Sequence, residues 1–291
     1  MYYQLAQQEF ESYLNGYDRE NDRIKLKIIH TYGVVKQAEE LAGRMHLSAE
    51  DTDLARLIAL LHDIGRFEQL KRYDSFEPGT MDHAAYGVKV LFDEGMIRRF
   101  LPDDKWDSII YTAIAHHSDY ELPEISDPQT LLHAKLIRDE DKLDNCRVKL
   151  VDSTSTFINV SEEELGTQNI TQKVYETVFK NKCILSADRV TQMDYWVSYI
   201  VYFFDINFKE SFDIIAENEK YLLFVEVKTR RAGSMVPGEA AVTAQKQQKL
   251  RFTAESYLLE HPTDRQPRFD VAALSVEGDK LLGFTYYKFA F

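Results

Sequence analysis

At 291 residues, 44% of them hydrophobic and 29% charged, the chain has room for one large or two ordinary domains. Residues 206–291 hold 12 basic and 12 acidic side chains, so the formal charge of −13 falls on residues 1–205 and makes that part a poor general binder of phosphate backbones. No run approaches the ~20 apolar residues of a membrane helix, MYYQLAQQEFESYL lacks the basic and apolar regions of a signal peptide, and the scattered Cys146 and Cys183 point to a reducing, cytoplasmic setting.

In chain order, RIKLKIIHTYGVVKQAEELAGRM carries apolar residues at helical spacing. Ser48 opens the next predicted helix, SAEDTDLARLIALLHDIG, with Asp51 at the capping-box position. Gly65 reads as its C-terminal stop. Further helices are predicted over 82–94, 104–117, 128–144, 171–180 and 186–205. YDSFEPGTMD and SDYELPEISDPQ read as loops between them.

After about residue 206 the pattern changes. FDIIAENEKYLLFVEVKT has two apolar runs around a polar turn, the mark of a β-hairpin. TAQKQQKLRFTAESYLLEH reads as a helix, and RFDVAALSVEGDKLLGFTYYKF as a second hairpin with Gly278 in its turn. The expected architecture is therefore a multidomain one. An all-α bundle spans 1–205, and a small α/β domain of ββαββ order spans 206–291, with no flexible linker between them.

Five histidines, His30, His62, His83, His116 and His117, fall on predicted helices or at their ends. With Asp63 and Asp141 they form the series H…HD…H…HH…D. Imidazole and carboxylate together suit divalent first-row ions such as Mn, Fe, Co or Zn. Seven such groups exceed the needs of one ion and suit two, with a carboxylate such as Asp63 between them. Neighbouring helix residues point about 100° apart, so His62 and Asp63 reach one ion only where a helix ends or distorts. The same holds for His116 and His117. A lone mid-helix histidine such as His30 is far more often a core or surface residue, and an HD dipeptide arises readily by chance. The order and placement of all seven carry the signal, and His46, His133 and His261 stay outside it.

Residues ~20–200 resemble the HD superfamily of metal-dependent phosphohydrolases through His30, HDIGRFEQ, DHAAYG, AIAHHSD and RDEDKLDN. The resemblance implies an all-α HD helical bundle with a four-ligand core at His30, His62, Asp63 and Asp141. In two-metal branches of the superfamily the extra histidines correspond to His83, His116 and His117. The GYP tripeptide of the cyclic dinucleotide phosphodiesterases is absent after His117, where SDYELP stands, and His117 is the stronger ligand of its pair. The resemblance implies one or two divalent ions (Mn, Fe, Co, Zn or Mg) and a small phosphorylated substrate. A divalent ion lowers the pKa of water and polarises a phosphoryl oxygen. Phosphoryl transfer then needs positioning and charge neutralisation, for which Arg66 and Lys142 stand within three residues of ligands. Lys71 and Arg72 are further candidates in the following loop, and Asp139 and Asp144 are expected to support Asp141. For each cation the plain alternative is a solvated surface charge.

Residues ~211–291 resemble the YraN-like family, predicted nucleases of the restriction-endonuclease fold, through FDIIAENEKYLLFVEVKTRRAG, EAAVTAQKQQKLRFTAESYL and RFDVAAL. The resemblance implies a D…ExK site of Asp213, Glu226 and Lys228, two carboxylates for Mg²⁺ and a lysine beside the attacking water. Glu226 and Lys228, two apart on a strand, share a face. Alternating charges on a hairpin are otherwise just its wet side. The family's first helix, first strand and Gly-Glu are replaced by DYWVSYIVYFFDINFKES, so this domain is expected to be incomplete on its N-terminal side.

The reading is a cytoplasmic metal-dependent phosphohydrolase acting on a nucleotide or related small phosphate ester. No membrane partner is expected, a homo-oligomer is left open, and nucleic acid is a partner only through the C-terminal domain. The rival is a nucleic-acid-binding or nuclease protein with the HD part as regulator. Dioxygen chemistry at a di-iron centre and metal binding without turnover are the other uses of such a scaffold.

Overall fold

Polar side chains set the helix starts. Asn21 accepts from the backbone N–H groups of Arg23 and Ile24 to open helix α2 (Asp22–Arg44). Ser48 accepts from Asp51 N to open α3 (Ala49–Leu61). Asp127 accepts from Thr130 N ahead of Pro128, which begins α8 (Pro128–Val151). Such caps satisfy N–H groups that have no partner inside the helix. The computed structural model describes residues 2–77, 79–180, 182–208, 211, 214–217, 220–231, 247, 251, 254, 263–277 and 280–291. Two units divide the chain, Met1–Ser211 and Phe212–Phe291.

The first unit is helical. Besides α2, α3 and α8 it contains α1 (Tyr2–Leu14), α4 (Ile64–Tyr73), α5 (His83–Val88), α6 (Ile97–Phe100) and α7 (Asp107–His116). After α8 come α9 (Thr154–Ile158), α10 (Glu162–Gly166), α11 (Gln172–Phe179) and α12 (Gln192–Ile200), which ends in a 3₁₀ turn, Val201–Asp205. The main core joins Phe10 and Leu14 of α1, Val34 and Leu41 of α2, the apolar face of α3, Phe67 of α4, Ile110 and Ile114 of α7, and Leu136 and Ile137 of α8. Each large side chain buried there contributes roughly 1.5–3 kcal/mol. A smaller cluster around Val148, Phe157 and Leu165 lies beneath Trp196 and Tyr199.

Gly65 does not end α3. The helix breaks two residues earlier, at Asp63, whose backbone leaves the helical region (φ −112°, ψ 23°), and α4 begins at once with Ile64. Gly65 lies inside α4 because a side chain there would strike His83 O and the Gly87 backbone on α5. The residue serves a close helix approach, and Lys71 and Arg72 sit on the last turn of α4 rather than in a loop. Helix α8 runs seven residues beyond its predicted end at 144.

In the second unit, β1 (Ile214–Glu217), β2 (Tyr221–Arg231), β3 (Gln266–Glu277) and β4 (Lys280–Tyr287) form one sheet in the order β1-β2-β3-β4. The two predicted hairpins are its antiparallel outer pairs, and β2 runs parallel to β3, from Tyr221 opposite Gln266 to Arg231 opposite Val276. A parallel pair needs a crossover connection, and Gln247, Arg251 and Ala254 between these strands are helical. Ala254 packs with Leu222, Phe224 and Phe269. Asp270, fully buried, is satisfied by Arg268, by Tyr286 Oη at 2.7 Å and by Phe289 N at 3.0 Å.

Candidate metal centre

His30 projects from the middle of α2, one turn after Lys27. His62 and Asp63 occupy the break between α3 and α4, His83 is the first residue of α5, His117 follows the end of α7, and Asp141 lies within α8. Their side chains converge. Donor atoms of His30, His62, Asp63 and Asp141 lie within 4.8 Å of one another, and so do those of Asp63, His83 and His117. Asp63 belongs to both groups. His30 Nε2 is 3.0 Å and His62 Nε2 3.6 Å from Asp141 Oδ1. Asp63 Oδ2 is 3.2 Å from His62 Nε2, and its Oδ1 is 3.2 Å from His83 Nε2 and 3.5 Å from His117 Nε2.

The rings are aimed by what their far nitrogens touch. His62 Nδ1 is 2.7 Å from Ala59 O, and His117 Nδ1 is 2.7 Å from Ile114 O, each one helical turn back. His30 Nδ1 is 2.7 Å from Asp144 Oδ2. Each Nδ1 is held by an oxygen acceptor, and each Nε2 faces the centre, the orientation a metal-ligating histidine takes. Gly33, one turn after His30, leaves the room into which the Asp144 carboxylate reaches. Two atoms at the middle, His62 Nε2 and Asp63 Oδ1, are buried with no hydrogen-bond partner among the described residues. Buried polar atoms are ordinarily satisfied, so this inward-facing set of imidazole and carboxylate atoms fits one or two cations.

The electrostatics reflect crowding. Burial opposes charge on His62, but Asp63 and Asp141 outweigh it and push the imidazole up to about 9. Against the effect of burial, Lys27 and His62 hold the Asp63 carboxyl well below its usual range, and His30 and His62 do the same for Asp141. Burial, then Arg66, drives His83 well below the usual imidazole value.

The structure brings together six of the seven predicted ligands and leaves His116 out. His116 lies next to His117 at the end of α7, where adjacent side chains diverge, and its Nδ1 is 2.6 Å from Asp119 Oδ2 at the surface. Arg66 donates to His83 Nε2 at 2.8 Å and to Gln69 Oε1 at 2.6 Å, which places it over the second group. Lys142 lines the cavity, but its ammonium is tied to Asp205 Oδ2 at 2.6 Å. Lys71 and Arg72 point away, to Gly16 O and Glu68. Asp144 supports His30 directly. Asp139 does not, accepting instead from Asn207, Phe208 and Ser211. Of the C-terminal set, Asp213 lies outside the described residues. Glu226 and Lys228 stand in β2 opposite Val271 and Ala273.

Lys27 was missed by sequence reading. It is buried and ion-paired with Asp63, and its spacing of three from His30, in KIIH, was the available signal. Glu140 is buried with neither carboxylate oxygen hydrogen-bonded among the described residues, and burial holds its carboxyl well above the usual range. A cavity of about 600 Å³ opens from the centre toward Tyr195, Tyr199 and Tyr202, whose i, i+4, i+7 spacing was visible in DYWVSYIVY.

Residues 28–146 match the family model described as HD domain. This segment is an HD domain. Its matched stretch begins just before His30 and ends just after Asp141. Residues 200–274 match the uncharacterised protein family UPF0102. A UPF0102 protein of Syntrophotalea carbinolica is 48% identical over 69 residues, 23% of this chain and 56% of the relative. One of Pelobacter propionicus is 46% identical over 68 residues, 22% of this chain and 49% of the relative. One of Chlorobium limicola is 40% identical over 88 residues, 28% of this chain and 66% of the relative. The chain thus spans about half the length of the first curated relatives it matches. No solved structure matches. Among the described residues no helix is long and apolar enough to cross a membrane.

Proposed function

We propose that the HD domain is a cytoplasmic metal-dependent phosphohydrolase acting on a phosphate ester, a nucleotide or a related small phosphorylated metabolite. The observation that carries the reading is the sharing of Asp63 by two buried donor groups whose histidine Nε2 atoms all face inward. His30, His62, Asp63 and Asp141 would hold one divalent ion, and Asp63, His83 and His117 a second. Such ions lower the pKa of water and polarise a phosphoryl oxygen. The chain contributes charge and position: Arg66, set over the second group, faces the phosphate, while Lys27 balances Asp63 from the opposite side. The cavity of about 600 Å³ beside the centre has room for a small metabolite, which supports the reading.

The test is metal content of the full-length protein together with a phosphatase screen over nucleotides and sugar phosphates. Wild type should retain divalent metal and turn over at least one ester, and Asp63→Ala should lose both. Undiminished turnover in Asp63→Ala would refute the assignment. A nucleic-acid-directed role rests on the second unit, where the UPF0102 match covers β1 and β2 with Glu226 and Lys228. A gel shift at low salt checks it, since the phosphate contacts it requires are strongest there.

A further inference from the structure

The cavity extends past the metal centre to a second, chemically distinct pole. Six cations line it: Lys27, Arg66, Arg138, Lys142, Lys149 and Arg189. The first four are committed. Lys27 pairs with Asp63. Arg66 is held by Gln69 and His83. Arg138 and Lys142 share Asp205. Lys149 and Arg189 differ, because no carboxylate among the described residues pairs with either.

What they touch instead is aromatic. The Lys149 ammonium lies 4.0 Å from the centre of the Phe157 ring and 4.3 Å from that of Tyr199. The Arg189 guanidinium lies 4.5 Å from the centre of the Tyr195 ring, with Ser198 Oγ at 3.4 Å. The rings are themselves packed, Phe157 stacked on Trp196 at 6.0 Å and Tyr199 set edge-on to Tyr202 at 5.6 Å. The faces that carry the two cations are occupied by them. This pole offers two cations held in place by π-faces, which stabilise the charge without using the N–H donors; Arg189 also donates Nε to Ser186 O and Nη1 to Ser198 Oγ, both at 3.4 Å, which leaves guanidinium donors with no partner among the described residues. Burial, reinforced by Lys27, presses the Lys149 ammonium down to about 7, a penalty that an arriving anion would relieve.

Lys149 stands eight residues beyond Asp141 on α8, about 12 Å of helix rise, and its side chain leans back along the helix toward the centre, where Lys27 and Asp141 act on it. The geometry points to a distal anion subsite. On the reading of the HD domain as a phosphohydrolase, its substrate is an organic phosphate with a second anionic group, phosphate or carboxylate, no farther than about 12 Å from the scissile phosphorus. Lys149 and Arg189 bind that group and so set which ester is presented to the centre. Charge-assisted hydrogen bonds to such a group are the strong kind.

Calorimetric titration of the full-length, metal-loaded protein tests this without requiring turnover. The probes are octyl phosphate and the bisphosphate of the corresponding eight-carbon diol. The bisphosphate should bind about tenfold more tightly or better. Lys149→Met and Arg189→Met, made separately, should each erode that preference, and Lys149→Arg should retain most of it. The two single variants lie on different segments, so misfolding of one leaves the other as a measurement. Equal affinity for both probes in wild type, or a preference undiminished in both methionine variants, would overturn the subsite. If the bisphosphate is preferred as expected but no ester is hydrolysed, the subsite stands and the phosphohydrolase reading falls. If both probes are hydrolysed and bound alike, the reverse holds.

Discussion

Replacing Gly33 by alanine should destabilise the first unit, although alanine is the better helix former. Gly33 lies inside α2, where the exchange alone would favour folding by about 1 kcal/mol. The added methyl, however, would occupy the position of the Asp144 carboxylate. That carboxylate is fully buried and bound to His30 Nδ1 at 2.7 Å and Arg147 Nε at 2.6 Å. Overpacking costs about 1–3 kcal/mol, and a buried charged group deprived of its partner adds roughly 1.5–3 kcal/mol. The net expectation is a loss of about 1.5–5 kcal/mol once the helix-propensity gain is subtracted. Gly43, on the same helix with nothing within 4 Å of an added methyl, is the control, and its alanine variant should gain about 0.4–1 kcal/mol. Urea unfolding followed by tryptophan fluorescence suits the comparison, because both tryptophans, Trp106 and Trp196, lie in the first unit. Metal affinity should fall in parallel, since an imidazole that loses its outer partner typically costs 10–100-fold. If Gly33→Ala proves as stable as Gly43→Ala, the Asp144–His30 contact does not have the role argued for it.

Phe67→Ala should cost about 3–5 kcal/mol in the same urea assay, because the ring is fully buried and meets Phe10, Tyr13 and Tyr17 at 5.6–6.2 Å between centroids. Asp194 accepts from the backbone N–H groups of Thr171, Val190 and Thr191, which lower its carboxyl pKa despite burial. Its contribution is present above the unfolded value, near 3.8, and is lost as pH falls through the lower folded value. The acid-side decline in unfolding midpoint should therefore be shallower in Asp194→Asn than in wild type, and identical slopes would count against it. Chelation should lower the melting temperature of wild type and leave Asp63→Ala unmoved, because only the former has bound metal to lose.

The donor set was legible because imidazole and carboxylate carry their chemistry in the side chain, whatever the local backbone does. Gly65 was misread for the opposite reason. A glycine can mark a helix end or a close approach, and only the position of His83 and Gly87 on a distant segment distinguishes the two. The break itself lies at Asp63, whose backbone dihedrals no residue-type rule specifies. His116 and His117 are equivalent as letters and become distinct only when the end of α7 sends one inward and the other to Asp119. Lys27 and Lys149 look like surface charges in the sequence. They acquire meaning when α2 and α8 bring them to a carboxylate and to aromatic rings.

Asp139 has a consequence for any attempt to dissect the chain. Its buried carboxylate is satisfied by Asn207 N and Nδ2, Phe208 N and Ser211 Oγ, all within 3.1 Å and all downstream of the last helical turn. A chain cut after Asp205 would retain every predicted metal ligand of the HD domain. It would nevertheless strip a buried acid two residues from Asp141 of all these donors, an uncompensated group of the kind that costs several kcal/mol. The metal-binding unit is therefore autonomous only if it keeps residues 206–211, which overlap the stretch matched to the other family.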